Sequence, residues 1–204
     1  MGLLGVSAFA ADPKLDGLLK GVEARYNHAK TLQVLFQEDY TKKGEAKRPT
    51  ESGLLMLRKP RRFRWAYNQP KGKLWISDSK QLWLWLPDEN RVQEMPLKDS
   101  DDMRAPFAFL LGKLNFDQEF RDLQGTPDPN GTRITGTPKS DNLPYSKVEF
   151  VVSPDCRIRQ VKVTNYDNSI LEFHFDEERV DPKLDDKLFT FEIPKGAEVI
   201  REGQ

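Results

Sequence analysis

The stretch GLLMLRKPRRFRWAYNQPKGKLWISDSKQLWLWLP, residues 53–87, decides the fold class. Apolar and polar residues alternate in it over short runs, and Pro, Asn, Asp, Ser and Gly separate the runs. Such alternation is typical of β-strands, and the separating residues favour turns. With the run that begins at residue 91, successive strands start about nine residues apart, which predicts an antiparallel meander.

The same alternation continues outside this stretch and predicts about eleven strands in all. They cover residues 32–41, 53–59, 62–67, 73–77, 82–86, 91–96, 132–137, 147–152, 157–164, 170–176 and 188–193. Residues 125–131 are rich in Gly and Pro and are predicted to form a loop. A large antiparallel sheet of this kind either closes on itself as a barrel or is covered on one face by helices.

Two segments have the apolar spacing of amphipathic helices. The first lies within residues 13–29 and the second within residues 101–114. Their apolar stripes are Leu15, Leu18, Leu19, Val22, Tyr26 and Ala29 in the first, and Met103, Phe107, Leu110, Leu111 and Leu114 in the second. The sequence therefore predicts a mainly β (α+β) fold with an N-terminal helix and one or two central helices.

The composition limits the classes of partner. The chain has 204 residues, with 32 Lys+Arg against 32 Asp+Glu, so its formal net charge is zero. Bulk electrostatics therefore gives no argument for a nucleic-acid or anionic-membrane partner. The single cysteine, Cys156, excludes an internal disulfide and a cysteine-based metal cluster.

The N-terminus indicates export. Residues 1–10 are apolar and end in Ala8-Phe9-Ala10, the small-x-small pattern that precedes a signal-peptidase cut. Because a basic n-region is missing, we interpret residues 1–10 as a truncated signal-peptide remnant and residues 11–204 as one domain; a short apolar helix start is the alternative. No apolar run elsewhere is long enough to span a membrane. We expect a periplasmic protein without a membrane anchor.

The sequence does not favour an enzyme. His28 and His174 are the two histidines, and both are expected to be structural. Phosphate-binding Gly loops, HExxH and Gly-x-Ser-x-Gly are absent from the sequence. We therefore expect no catalytic residues, no cofactor and no metal.

Residues 58–65 combine five cations with two aromatic residues, as a single-strand nucleic-acid site would. In a strand, however, Phe63, Trp65 and Tyr67 point to one face, whereas Arg62 and Arg64 point to the other. Base stacking needs both kinds of residue on one exposed face. We therefore expect no nucleic-acid partner.

All four tryptophans lie within residues 65–85. Two interpretations stay open. The aromatic side chains either fill a core on both faces of the sheet, or they enclose an apolar cavity that is partly unfilled and can take a ligand.

Two motifs resemble the periplasmic outer-membrane lipoprotein carrier family, LolA. Residues 53–70 and 74–87 are similar to the family's Gly-x-Leu, basic-Pro-x-x-Phe-x-Trp-x-Tyr-x-x-Pro and Leu-Trp hairpin motifs, and FTFEIPKGAEV, residues 189–199, is similar to its closing strand. With the early helix and the strand order, the resemblance extends over nearly all of residues 12–200.

The resemblance implies a strongly curved, incomplete antiparallel barrel whose helices act as a lid over an apolar cavity for the acyl chains of lipoproteins. It implies a soluble, monomeric carrier between an inner-membrane lipoprotein-releasing ABC transporter and an outer-membrane lipoprotein acceptor. The acceptor family, LolB, has a similar curved sheet but carries an N-terminal lipid-modified Cys. A module of the same fold that binds lipids or glycolipids, or senses envelope stress through a protein partner, is the alternative.

Within this resemblance we assign candidate site residues. The wall of the cavity is predicted to be Leu55, Leu57, Phe63, Trp65, Tyr67, Leu74 and Ile76, and the lid to be Leu15, Leu18, Val22, Met103, Phe107, Leu110 and Leu111. In the family, an Arg directly before the Pro of the basic-Pro motif ties the lid shut. Here Lys59 holds that position and Arg58 precedes it, so these two are the candidate latch. Because Lys is a mobile point charge rather than a planar fork, we expect a weaker latch.

Overall fold

A computed structural model of the protein describes residues 13–46, 48–97, 114–141 and 143–201. In these ranges the chain forms two α-helices, α1 (Pro13–His28) and α2 (Phe116–Glu119), and twelve strands. The strands are β1 (Thr31–Thr41), β2 (Glu51–Arg58), β3 (Arg62–Gln69), β4 (Leu74–Asp78), β5 (Gln81–Leu86), β6 (Arg91–Pro96), β7 (Phe120–Asp128), β8 (Gly131–Pro138), β9 (Tyr145–Val152), β10 (Ile158–Asn165), β11 (Ile170–Val180) and β12 (Glu198–Arg201). Short 3-10 turns lie at Pro87–Glu89 and Asp186–Phe189.

All twelve strands belong to one curved, open sheet, in the order β12-β6-β5-β4-β3-β2-β1-β11-β10-β9-β8-β7. Each pair of neighbours is antiparallel except β12 and β6, which run parallel. Because β7 and β12 do not pair with each other, the barrel is incomplete. The predicted mainly β fold with an unclosed barrel is confirmed.

Helix α1 packs against one face of the sheet, which we call the inner face. The helix packs there because its predicted apolar stripe faces the sheet. Leu19, Val22 and Tyr26 are buried, and Leu15 and Leu18 pack against the same core. Side chains from β1 to β3 and from β8 to β11 complete this core, so the helix and most of the sheet share one apolar interior.

The opposite, outer face carries a second apolar layer over β2 to β6. Ile76 and Val92 are fully buried there. The C-terminal segment 182–197, which we call the strap, lies on this face, and its Phe189 is 1% exposed with Arg58 and Arg62 over its ring. The ring of Phe191 lies 5.8 Å from that of Trp83. Trp83 is therefore an outer-face residue, as its register opposite Ile76 requires.

Two of the predicted element positions were wrong, and a third element, β12, was not predicted. Residues 188–193 form no strand; they belong to the strap, where the alternation serves side-chain packing instead of pairing. Residues 125–128, predicted as loop, continue β7, an edge strand whose exposed side chains have no apolar alternation. The short strand β12 lacks a sequence signal of its own.

Some predictions lie outside the described residues. These are the signal remnant at residues 1–10, the central helix at residues 101–114 apart from Leu114, and with it the lid candidates Met103, Phe107, Leu110 and Leu111.

Candidate functional site

The inner face of β1, β3 and β11 holds a cluster of aromatic rings. The ring of Trp65 lies 5.3 Å from that of Phe36 and 5.6 Å from that of Phe173. The ring of Tyr67 lies 5.0 Å from Phe36. Edge-on and tilted pairs at these distances are favourable and leave rigid apolar surfaces.

Five of the seven predicted wall residues line this face together. Leu55, Leu57, Phe63 and Tyr67 are buried in the inner core, and Trp65 packs against it while partly exposed. The register explains the grouping, because Leu55 lies opposite Trp65, and Leu57 opposite Phe63. Residues directly opposite each other in an antiparallel pair project to the same face.

Leu74 and Ile76 do not join the wall, and their assignment to it was wrong. Ile76 pairs with Arg64 and Leu74 with Ala66, which places both on the outer face under the strap. The inner-face residues of β4 are Trp75, which lies opposite Trp65, and Ser77, which lies opposite Phe63. Since β4 is apolar on both sides, alternation alone does not say which side faces inward.

The described lid candidates Leu15, Leu18 and Val22 lie on α1, against the inner core. Two close approaches fix the helix there. A Cβ built on Gly21 would lie 2.5 Å from Cys156 Sγ, and one on Gly125 of β7 would lie 3.2 Å from Leu15 Cδ1. The helix therefore packs against the β9–β10 turn and against β7. At both contacts there is no space for a side chain in place of the glycine hydrogen.

Lys59 ties the end of α1 to the sheet. Its ammonium donates to the backbone carbonyl of Tyr26 and lies 3.5 Å from that of Asn27. These carbonyls belong to the last helical turn, where backbone acceptors lack partners within the helix. Burial lowers the pKa of Lys59, while the nearby carboxylate of Asp181 raises it. Lys59 thus links the end of β2 to the last turn of α1.

Arg58 projects to the other face and does not contact α1, so its assignment as a latch was wrong. Its guanidinium donates to Asp186 and to the carbonyl of Leu184, and it lies 5.7 Å from the ring centroid of Phe189. Arg62 reaches the same carboxylate at 2.9 Å. Both arginines hold the strap, because residues 58 and 62 face outward while residue 59 faces inward.

Sequence reasoning missed a second anchor of α1, centred on Glu178 of β11. Its carboxylate accepts from Arg25 at 2.6 Å and from the Tyr26 hydroxyl at 2.5 Å. The same hydroxyl accepts from the backbone N–H of Ile158 at 2.9 Å. Burial and the adjacent carboxylate raise the pKa of Tyr26 far above its usual range. Nothing in the spacing signals this contact, which joins residues 152 positions apart.

A third anchor joins α1 to the residues just before α2. The side-chain amide of Asn27 donates to the Leu114 carbonyl at 2.8 Å and accepts from the Leu114 N–H at 2.7 Å. One turn earlier, Glu23 accepts from the backbone N–H of Phe116 at 2.7 Å. These bonds join α1 to the chain at residues 114–116.

Far from Lys59, the inner face ends in four polar side chains that we call the charged rim: Glu38, Glu51, Tyr67 and Lys73. The Tyr67 hydroxyl donates to Glu38 at 2.9 Å, and Lys73 pairs with Glu51. The Lys73 ammonium also lies 4.3 Å from the ring centroid of Tyr67. Burial raises the pKa of Glu38, and the neighbouring Glu51 raises it further.

The two histidines are not part of the aromatic cluster of the inner face. His28 and His174 are exposed, and His174 lies 3.0 Å from Glu172. Across the described ranges, acidic, His and Cys side chains form no group of three suited to a metal ion. Within the same ranges, no helix is both long and apolar enough to cross a membrane.

Comparisons with known proteins agree with this architecture. A family profile described as "Outer membrane lipoprotein carrier protein LolA" matches residues 27–192. An outer-membrane lipoprotein carrier protein of Nitrosomonas europaea is 27% identical over 188 residues, covering 90% of this chain and 89% of that one. Its counterpart in Methylibium petroleiphilum is 28% identical over 205 residues, covering 99% and 97%.

Among solved structures, an uncharacterized conserved protein from Thermus thermophilus has a TM-score of 0.56 to this chain, at 16% identity. The superposition covers 93% of this chain and 99% of that one. At this identity the similarity concerns the fold alone.

Proposed function

Since this chain belongs to the LolA family of outer membrane lipoprotein carrier proteins, we propose that it is a soluble periplasmic carrier for the acyl chains of lipoproteins. It takes them from an inner-membrane ABC transporter and delivers them to an acceptor at the outer membrane. Leu55, Leu57, Phe63, Trp65 and Tyr67 form the wall of the site, and α1 is the described part of the lid.

One observation carries this proposal: a continuous apolar inner face covered by a helix that polar contacts hold at its end. Lys59 and Glu178 bind the last turn of α1, whereas Leu15, Leu18 and Val22 make apolar contacts along its length. A helix held in this way can be displaced by a ligand that offers the sheet the same apolar contacts.

The energetics favour reversible binding. Burying one CH2 group is worth about 0.8 kcal/mol, so one palmitoyl chain gains about 12 kcal/mol if it is fully buried. In a preformed cavity this gain would make release slow. Here the chain replaces the contacts of α1 with the inner face, and the lost helix contacts offset part of the gain. The population of the open state then sets the apparent affinity.

The tryptophans allow a direct test of where the chains bind. Trp65 and Trp75 lie on the inner face, whereas Trp83 and Trp85 lie on the outer face. The double variant Trp83→Phe/Trp85→Phe keeps the inner pair. The double variant Trp65→Phe/Trp75→Phe keeps the outer pair. Lipopeptides with brominated palmitoyl chains quench tryptophan fluorescence on contact. We expect strong quenching where the inner pair remains and little where the outer pair remains.

Equal quenching of the two pairs would contradict an inner-face site. If neither pair is quenched and native purification recovers a lipid-free protein that binds a peptide or a regulator, the alternative interpretation as a protein-binding module replaces the carrier.

A further inference from the structure

The inner face changes from apolar to charged along its strands. On β1 the inward residues run Leu32, Val34, Phe36, Glu38, and on β2, in the opposite direction, they run Leu57, Leu55, Gly53, Glu51. Glu38 lies opposite Glu51 in the register, so the charged ends meet at one rim. Lys73, the residue before β4, joins them through its ion pair with Glu51. An amphiphile on this face therefore meets a defined polarity along its length.

The other end of the inner face is already occupied by contacts that hold the end of α1 and the start of β1. Lys59 binds the carbonyl of Tyr26, and Asp181 accepts from the backbone N–H groups of Lys30 and Thr31 at 2.7 and 3.1 Å. A polar ligand group there would have to displace these bonds. The polar bonds of the charged rim given above join its own members and none of them holds α1.

A cleft of about 190 Å³ opens beside the charged rim. Glu51 and Lys73 form one side of it. Its remaining lining residues are Pro70, Leu86, Pro87, Asp88 and Glu89. It thus combines an ammonium donor and carboxylate acceptors with apolar walls, which is the mixture of groups that orients a ligand in a binding site.

We propose that the charged rim and this cleft bind the polar head of the cargo: the acylated cysteine with its glyceryl esters and the first peptide bonds. The inference rests on the proposed function. Lys73 donates to ester carbonyls, and Glu51 accepts from peptide N–H groups. The acyl chains then extend along Tyr67 and Trp65 toward Lys59, and the polypeptide leaves through the cleft between Pro70 and the Pro87–Glu89 turn.

A substitution at Lys73 separates recognition of the head from binding of the chains. The ligands are a synthetic dipalmitoylglyceryl-cysteinyl hexapeptide and 1-bromohexadecane, which has the chain without a head. We expect Lys73→Met to weaken lipopeptide binding about tenfold, the effect of losing one charge-assisted hydrogen bond, and to leave bromohexadecane binding unchanged. Lys73→Arg should restore most of the loss. Lys80→Met, an exposed change at the opposite end of β4, is the control.

The outcomes distinguish the two proposals. Equal weakening of both ligands by Lys73→Met would overturn the head site and leave the carrier function standing. If neither ligand binds the unmodified protein, the carrier function itself fails. Phosphatidylglycerol offers similar ester chemistry, so tighter binding of this lipid than of the lipopeptide, with the same dependence on Lys73, would overturn the choice of occupant.

A second measurement does not depend on the variants. A lipopeptide with a photoreactive diazirine amino acid after the cysteine should crosslink to residues 86–89 of the intact protein, as mapped by mass spectrometry. Crosslinks at residues 57–59 instead would place the head at the Lys59 end and overturn the proposal.

Discussion

At the scale of single residues, adjacent positions at the end of β2 serve opposite faces of the molecule. Lys59 binds the last turn of α1 on the inner face, whereas Arg58 binds the strap on the outer face. The family resemblance assigned the latch to the position before the Pro, and strand parity with Leu55 and Leu57 favoured an inward Lys59. Both arguments point to the geometry that the structure shows.

A prediction follows from the shape of the Lys59 side chain. The ammonium donates to Tyr26 and lies at the limit of hydrogen-bond distance, 3.5 Å, from the Asn27 carbonyl. The planar fork of Arg can donate to both carbonyls at once. We expect Lys59→Arg to raise the free energy of unfolding by about 1 kcal/mol and to slow the transfer of a fluorescent lipopeptide to acceptor vesicles severalfold.

Urea denaturation and stopped-flow transfer are the measurements. Lys59→Met, which keeps the aliphatic stem and removes the donor, should shift both quantities in the opposite direction. A Lys59→Arg protein that is more stable but transfers lipopeptide at the unchanged rate would show that the bond stabilises the fold without controlling the lid.

Strand parity correctly grouped Phe63, Trp65 and Tyr67, but it did not place Leu74 and Ile76. The turn at residues 70–73 sets the register between β3 and β4, and the sequence does not reveal how many residues that turn consumes. In a strand with apolar residues on both sides, a different register exchanges the faces while the hydrophobic pattern stays the same.

At the scale of elements, the elements with strong periodicity were predicted best. α1 and ten of the strands follow from apolar spacing. The edge strand β7 contains Gly125 and Pro127 and buries little side-chain surface, so its pairing with β8 depends on backbone bonds that leave no apolar pattern. The strap has the reverse character: it alternates like a strand because Phe189 and Phe191 pack against the outer face of the sheet, while its backbone pairs with no neighbouring strand.

The contact between α1 and the β9–β10 turn allows the lid to be locked. A Cβ at position 21 would lie 3.6 Å from Cys156 Cβ, within the usual range of disulfides of roughly 3.5–4.5 Å. We expect Gly21→Cys to form a disulfide with Cys156 once the Cys156 Sγ rotates aside. The oxidised protein should lose lipopeptide binding at least about tenfold, and dithiothreitol should restore it.

Gly17→Cys is the matched control. It adds a thiol to the same helix one turn earlier, where a Cβ meets no atom within 4 Å and Cys156 is therefore farther away than it is from position 21. Oxidised Gly17→Cys protein should bind like the parent. Full binding by the oxidised Gly21→Cys protein would show that α1 need not move, and the cavity would then have to lie under other elements.

At the scale of the whole molecule, the sheet separates two apolar layers that are closed in different ways. Arg58, Arg62 and Asp186 close the outer layer with ion pairs around the buried Phe189. The inner layer is closed by a 16-residue helix held mainly at its C-terminal turn. An isolated helix of this length is only marginally stable in water, so the backbone amides of α1 lose most of their protection from hydrogen exchange when the helix leaves the sheet. The strap lies on the outer face and does not depend on contacts with the inner face.

Hydrogen exchange can therefore identify which layer opens when cargo binds. In the lipopeptide-loaded protein, we expect the amides of residues 14–28 to exchange about tenfold faster than in the empty protein, since helix packing is exchanged for lipid packing. The amides of residues 185–190 should be unchanged, and those of β2 and β3 should stay protected because the sheet keeps a covered face. Slower exchange in α1 on loading would mean that the helix closes over the lipid. In that case the affinity would be set by added contacts, and the inner face would act as a preformed cavity instead of one opened by displacement of α1.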